Sequence, residues 1–260
     1  MPDFEGVQRV FKETRIALGE ILSAFEFFDQ EGLDLVLAHT GQKAPFEGEP
    51  AGGRAFYVLL ETSGSNKDHD DEVSAVSSAY RFHKADLLRS QKLGGLLEHL
   101  LESEIVSDGV LAQDETQVAS LWSLRESLPE AAGKLGKVYK YDLSMPVKDM
   151  YSLVEEARER FRAQGLDMDG SIKATVGYGH IGDGASLLVF WCLRGLTRIA
   201  GNLHINIVAS RWDEKIEQAI EPWIYEATGA FSCSSVLPPL TSLAQPPGTA
   251  PSLPSTVSDS

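Results

Sequence analysis

The sequence predicts an α+β fold: an antiparallel sheet with helices packed on one face. Strand-like and helix-like stretches alternate along the chain without internal repeats, which confines it to the α+β and α/β classes. The strand-like runs are short, apolar and rich in β-favouring residues. A hydrophobic fraction of 43% over 260 residues is enough for a sizeable core.

The elements follow in order. Residues 5–30 read as helix, because Leu18, Ile21, Leu22 and Phe25 keep the spacing of an amphipathic face. The stretch 41–54 is Gly/Pro-rich loop. Residues 55–62 form a buried strand, ended by Ser63, Gly64, Ser65 and Asn66. A helix is expected at 92–103, a strand around a polar turn at 105–112, a helix at 115–126 and a strand at 137–143. Pro146 opens a helix at its favoured first turn, running to Ala163. Strands at 172–179 and 203–209 precede a last helix at 212–227.

Charge and composition exclude several functions. Lys+Arg 23 against Asp+Glu 38 gives a net charge of -15, which argues against nucleic acid or an anionic membrane as the partner. An anionic ligand would have to be captured by a few local cations. Two cysteines, Cys192 and Cys233, cannot build a disulfide framework, so a reducing compartment is the default. No apolar run reaches the roughly 18 residues of a membrane span. The start, Met1 to Glu5, carries neither a signal-peptide nor an Arg-rich transit pattern.

Three segments break the alternation. Residues 73–91 have no clean period, 185–200 are oily and interrupt a Gly-rich turn, and the tail from Ala230 is rich in Ser, Pro and Leu. An exposed LLVFWCL would be an aggregation hazard.

Two constellations could carry chemistry. Gly177-Tyr178-Gly179-His180-Ile181-Gly182-Asp183-Gly184 reads as a Gly-dense turn after a strand, and Asn202, His204 and Asn206 alternate onto one strand face. His180 and His204 together would make half of a zinc site. The plainer alternative is a pair of ordinary hydrogen-bonded histidines. Arg125 on a helix and Lys140 on the next strand could clamp a carboxylate, against the alternative of two solvated surface charges.

These residues carry a resemblance. GEILSAFEF at 19–27, FYVLLETSGSN at 56–66, LWSLRE at 121–126, VYKYDLSMPV at 138–147, GYGHIGDG at 177–184 and GNLHINI at 201–207 resemble the C-terminal, substrate-binding half of the FAD-linked D-2-hydroxyacid dehydrogenases. The D-2-hydroxyglutarate dehydrogenases are the branch most resembled. The resemblance implies a ferredoxin-like sheet-and-helix domain, His180 and His204 as zinc ligands, and Arg125, Lys140 and Asn206 as substrate contacts. Pro129 stands where some members place a substrate-contacting threonine. It also implies FAD as hydride acceptor, zinc polarising the C2 hydroxyl, and a mitochondrial location. The partners it implies are a small 2-hydroxy acid and an electron-acceptor protein, either an electron-transfer flavoprotein or a cytochrome.

The chain also departs from the family. The half that holds most of the FAD site would precede Met1, and the AEHG string that supplies the third zinc ligand and the expected base does not occur. No catalytic residue is therefore assigned, and the chain is expected to be inactive as written. His180 and His204 lie 204 − 180 = 24 residues apart, a separation widened by the oily segment 185–201. Residues 73–91 and 185–201 read as aberrant insertions in a domain spanning 1–229, followed by a disordered tail at 230–260. Their codons admit splice-donor and acceptor patterns, so these segments read as untranslated DNA carried into the protein. The alternatives are a D-lactate dehydrogenase of the same superfamily, a non-catalytic hydroxy-acid binding module, or an unrelated metal hydrolase.

Overall fold

A computed structural model of the chain describes residues 1–46, 55–63, 90–182 and 200–231. The segments 73–89, 185–199 and 232–260 lie outside the described residues, so the reading of them as insertions and disordered tail is left as an expectation.

The first helix, α1 (Phe4–Leu18), starts where the Asp3 carboxylate accepts from the Gly6 amide at 2.8 Å. It buries Phe4, Val7, Val10, Phe11, Thr14 and Leu18, then stops at Gly19. The expected single helix over 5–30 therefore ends early, and β1 (Leu22–Asp29) follows it. Phe25, Phe27 and Phe28 are all buried, so this strand is apolar on both faces. A strand buried on both sides shows no clean period of two, which is why its sequence passes for helix.

Asp29 ends β1 and caps α2 (Gln30–Thr40), which closes on Gly41 with φ 72 in the left-handed region. Next come β2 (Phe56–Thr62) and helix α3 at 90–102. Residues 105–112 form no strand; they run as irregular chain with Val110 exposed. Then follow α4 (Glu115–Glu126), α5 (Leu128–Leu135) and β3 (Lys137–Pro146). Pro146 ends this edge strand instead of opening a helix, a place where its missing N–H costs nothing. A 3-10 turn, Val147–Asp149, then leads into α6 (Met150–Ala163).

The last strands are β4 (Ile172–Ile181) and β5 (Ala200–Ala209). The expected final helix splits at Pro222 into α7 (Glu214–Ile220) and α8 (Trp223–Phe231), because proline supplies no helical N–H.

The strands form one antiparallel sheet in the order β2-β1-β4-β5-β3. One face carries the larger core, where residues of α1, α3, α6, α7 and α8 meet Phe25, Phe27, Leu203, Ile205 and Ile207. The other face packs Leu33 and Val36 of α2, Leu124 of α4 and Leu128, Ala131 and Ala132 of α5 against Phe28, Ala174, Val176 and Val208. Helices thus cover both faces, where one was expected. The class stays α+β.

One carboxylate joins the two layers. Oδ1 of Asp29 accepts from the Gly32 amide at 2.9 Å. Its Oδ2 accepts from Tyr151 Oη at 2.8 Å, Arg158 at 2.8 Å and the Gly177 amide at 2.9 Å. Arg158 also donates to Tyr151 Oη and Glu31, each at 2.8 Å, and to the Thr175 carbonyl. Burial and the nearby Asp29 charge push the Tyr151 hydroxyl above its ordinary value. Burial also raises the Glu31 carboxyl, against the opposing pull of Arg158.

Replacing Asp29 with Ala should cost about 2–4 kcal/mol, since it removes a helix cap and leaves the Tyr151 hydroxyl and the Gly177 amide without their acceptor, while Arg158 keeps Glu31. A urea titration of parent and variant checks this as a fall in the midpoint.

Candidate functional site

The pairing register places the candidate residues in rows across one sheet face. Glu26 of β1 pairs with His180 of β4, His180 with Asn202 of β5, and Asn202 with Ser144 of β3. The next row runs Phe28, Tyr178, His204, Asp142, and the one after it Val176, Asn206, Lys140. These positions alternate with core-facing neighbours, so their side chains share the face that packs against α2, α4 and α5. Toward Val208 and Ala174 the face is apolar and covered by helix. Toward Glu26 and His180 it is polar.

Arg125 reaches this polar end from the last turn of α4. The helix ends there because Pro129 lies four residues on, and a proline ring excludes a helical carbonyl at that distance. A cation in a last helical turn also meets the negative end of the helix dipole. The Arg125 Nε donates to Glu26 Oε2 at 2.8 Å, and its guanidinium carbon lies 4.7 Å from the Tyr178 ring centroid. Both partners of the pair are mostly buried, at 14% and 12% exposure.

Tyr178 is the platform of the site. Its ring stacks on His204 with centroids 5.0 Å apart, and its Oη accepts from Asn206 Nδ2 at 3.2 Å. Burial pushes this hydroxyl upward, so it stays protonated at neutral pH. The His180 and His204 rings lie edge to face, with centroids 5.9 Å apart. Asp142 grips Nδ1 of His204, and Glu26 Oε1 lies 3.9 Å from Nδ1 of His180.

Four of the five residues singled out from sequence, Arg125, His180, His204 and Asn206, therefore converge on Tyr178 and its neighbours. Lys140 shares their face, beside Asn206, with its side chain exposed. Sequence reasoning missed Glu26, Tyr178 and Asp142. Tyr178 and Asp142 each stand two positions from a residue already chosen, and strand alternation alone would have added them. Glu26 was hidden inside the supposed helix. The Gly-dense stretch is also no turn at first, since β4 runs through Ile181. A Cβ at Gly179 would lie 2.0 Å from the Asn202 carbonyl oxygen, and one at Gly177 2.8 Å from Val154 of α6. These glycines admit close neighbours; the left-handed bend comes at Gly182, φ 95.

The fit to zinc and to FAD can be judged from the donors present. Among the described residues no three His, Cys, Asp or Glu side chains are arranged to hold a metal ion. The two imidazoles are neighbours, but a zinc site closes with a third protein donor. A cavity of about 540 Å³ lies around Asp29, Glu31, Asp34, Glu155 and Arg158. Its carboxylates would repel a pyrophosphate, so the described residues do not fit a dinucleotide there. No helix among them is long and apolar enough to cross a membrane.

Burial lowers the His204 pKa, while Asp142 pulls it upward and Arg125 pushes it down. The imidazole should therefore titrate below free histidine and be neutral at pH 7. Asp142→Asn removes the upward pull, so the His204 midpoint should fall further. Following its ring C–H resonance against pH checks both statements.

A mitochondrial D-2-hydroxyglutarate dehydrogenase of Bos taurus is 39% identical over 227 residues, covering 87% of this chain and 33% of that protein. A D-2-hydroxyglutarate–pyruvate transhydrogenase of Saccharomyces cerevisiae is 35% identical over 226 residues, covering 86% and 38%. A mitochondrial protein of Schizosaccharomyces pombe, provisionally named a D-lactate dehydrogenase, is 40% identical over 230 residues, covering 87% and 36%. The chain spans about a third of the length of these relatives. The family of FAD linked oxidases, C-terminal domain, matches residues 1–234, and the chain belongs to it.

Proposed function

We propose that this chain forms the substrate-binding wall of an FAD-dependent, mitochondrial D-2-hydroxyacid dehydrogenase that oxidises D-2-hydroxyglutarate to 2-oxoglutarate. The observation that carries the reading is the placement of two cations on one sheet face, either side of the Tyr178–His204 row. Arg125 lies over β4, and Lys140 stands two strands away on β3. Adjacent strands are about 4.8 Å apart, so the strand positions beneath the two cations differ by about 10 Å, which flexible side chains can narrow to the span of a diacid. Arg125 would take one carboxylate as a fork, Lys140 the other as a point charge, and Asn206 and the imidazoles would face the hydroxyl between them.

In this reading FAD supplies hydride acceptance, and an electron-transfer flavoprotein or cytochrome would reoxidise it. His180 and His204 would contribute two zinc donors, with the third coming from outside the described residues. We read residues 1–229 as one domain, to which 73–91, 185–201 and the tail are extra. Sequencing of cDNA across those codons tests that division.

The second reading is D-lactate, favoured by the name of the S. pombe relative. Calorimetric titration of the full chain separates the two. D-2-hydroxyglutarate should bind more tightly than D-lactate, and Arg125→Ala should weaken it about tenfold or more. Lys140→Ala should narrow the gap between the two acids. Equal affinity for both acids, unchanged by Lys140→Ala, would hand the site to the monoacid.

A further inference from the structure

We infer that Glu26 is a positioning residue for the carboxylate clamp: it holds Arg125 by one edge and so aims the other at the ligand. The inference rests on the proposed function and adds a residue to which the resemblance assigned no role.

A guanidinium has a side edge, which includes Nε, and an end formed by its two terminal nitrogens. The Glu26 carboxylate bonds at Nε. A ligand carboxylate would therefore take the terminal pair, in the two-bond geometry that suits it. The Tyr178 ring lies under the guanidinium, its centroid 4.7 Å from the guanidinium carbon, and supports it from below while Glu26 holds it at Nε. Both members of the ion pair are mostly buried, so the contact is not the loose surface kind that solvent screens.

Glu26 is itself held. It sits mid-strand in β1, paired with β2 on one side and with His180 of β4 on the other. Its second oxygen lies beside the His180 ring. An arginine fixed in this way has already lost its rotamer freedom, and the ligand is spared that ordering cost. The reach of the Glu26 side chain should then matter more than its charge.

The test is calorimetric titration of D-2-hydroxyglutarate into the full chain and its Glu26 variants, with urea midpoints as the folding control. Glu26→Gln keeps the reach and an accepting oxygen, and should bind within about threefold of the parent. Glu26→Asp keeps the charge but falls a methylene short, and should bind about tenfold more weakly, as should Glu26→Ala. In an Arg125→Ala background the Glu26 changes should add nothing further, because the two residues act as one unit. If Glu26→Ala does not fold, the Gln and Asp variants carry the comparison.

Tighter binding by Glu26→Gln than by the parent would make Glu26 a competitor for Arg125 and overturn the inference. So would unchanged binding by Glu26→Asp, or a Glu26 effect that persists without Arg125. If the parent itself binds no diacid, the functional reading falls and takes the inference with it.

Discussion

The Asp29 carboxylate is the constraint around which the rest is arranged. It is 2% exposed, and such a group is tolerated only when its oxygens are fully used. Its partners come from three other elements: Gly32 in α2, Tyr151 and Arg158 in α6, and Gly177 in β4. α2 and α6 pack on opposite faces of the sheet, so this single group ties both layers to the end of β1. The same bonds set where α2 begins and how β4 lies beside β1. The Glu26–His180 pairing, three residues back along β1, inherits that alignment.

The candidate site follows from an unequal covering of one sheet face. Side chains from α2, α4 and α5 seal its apolar part through Leu33, Val36, Leu128, Ala131 and Ala132. Beyond Tyr178 the strands offer carboxylates, imidazoles and amides, and Arg125 comes down from the helical layer to meet them. Polar and charged groups of this kind need partners once they are half-buried. Glu26 has Arg125 and His204 has Asp142, which accounts for the ordered polar cluster without any ligand.

Much of this was readable from the sequence, and the misses have physical causes. The helices at 115–126 and 150–163 and the strands 56–62, 137–146 and 172–181 all lie where spacing or apolar runs placed them, within a few residues. Site residues set by motif, such as Arg125 and the two histidines, also fell together. β1 was lost because helices cover the sheet on both sides of it, which leaves the strand apolar on both faces. The second helical layer was lost with it, since that layer packs on the side of β1 that a helical reading conceals. Segment 105–112 had strand-like composition but found no sheet edge, and pairing is what makes a strand. Glu26 lay within a quoted string without a role, for that role depends on a partner 99 residues away.

Gly177 and Gly179 give β4 a lopsided character. On the side toward α6 the strand presents bare backbone at these two positions, and on the other side Val176, Tyr178 and His180. Packing and chemistry are thereby assigned to opposite surfaces of one strand. A change at 178 or 180 alters what a ligand meets without asking α6 to move. The glycines themselves are closed to change, because the backbone of β5 and the side chains of α6 fill the space a Cβ would need. A substitution on the polar side of this strand is accordingly felt in the site, and one on the other side in the packing of the whole sheet.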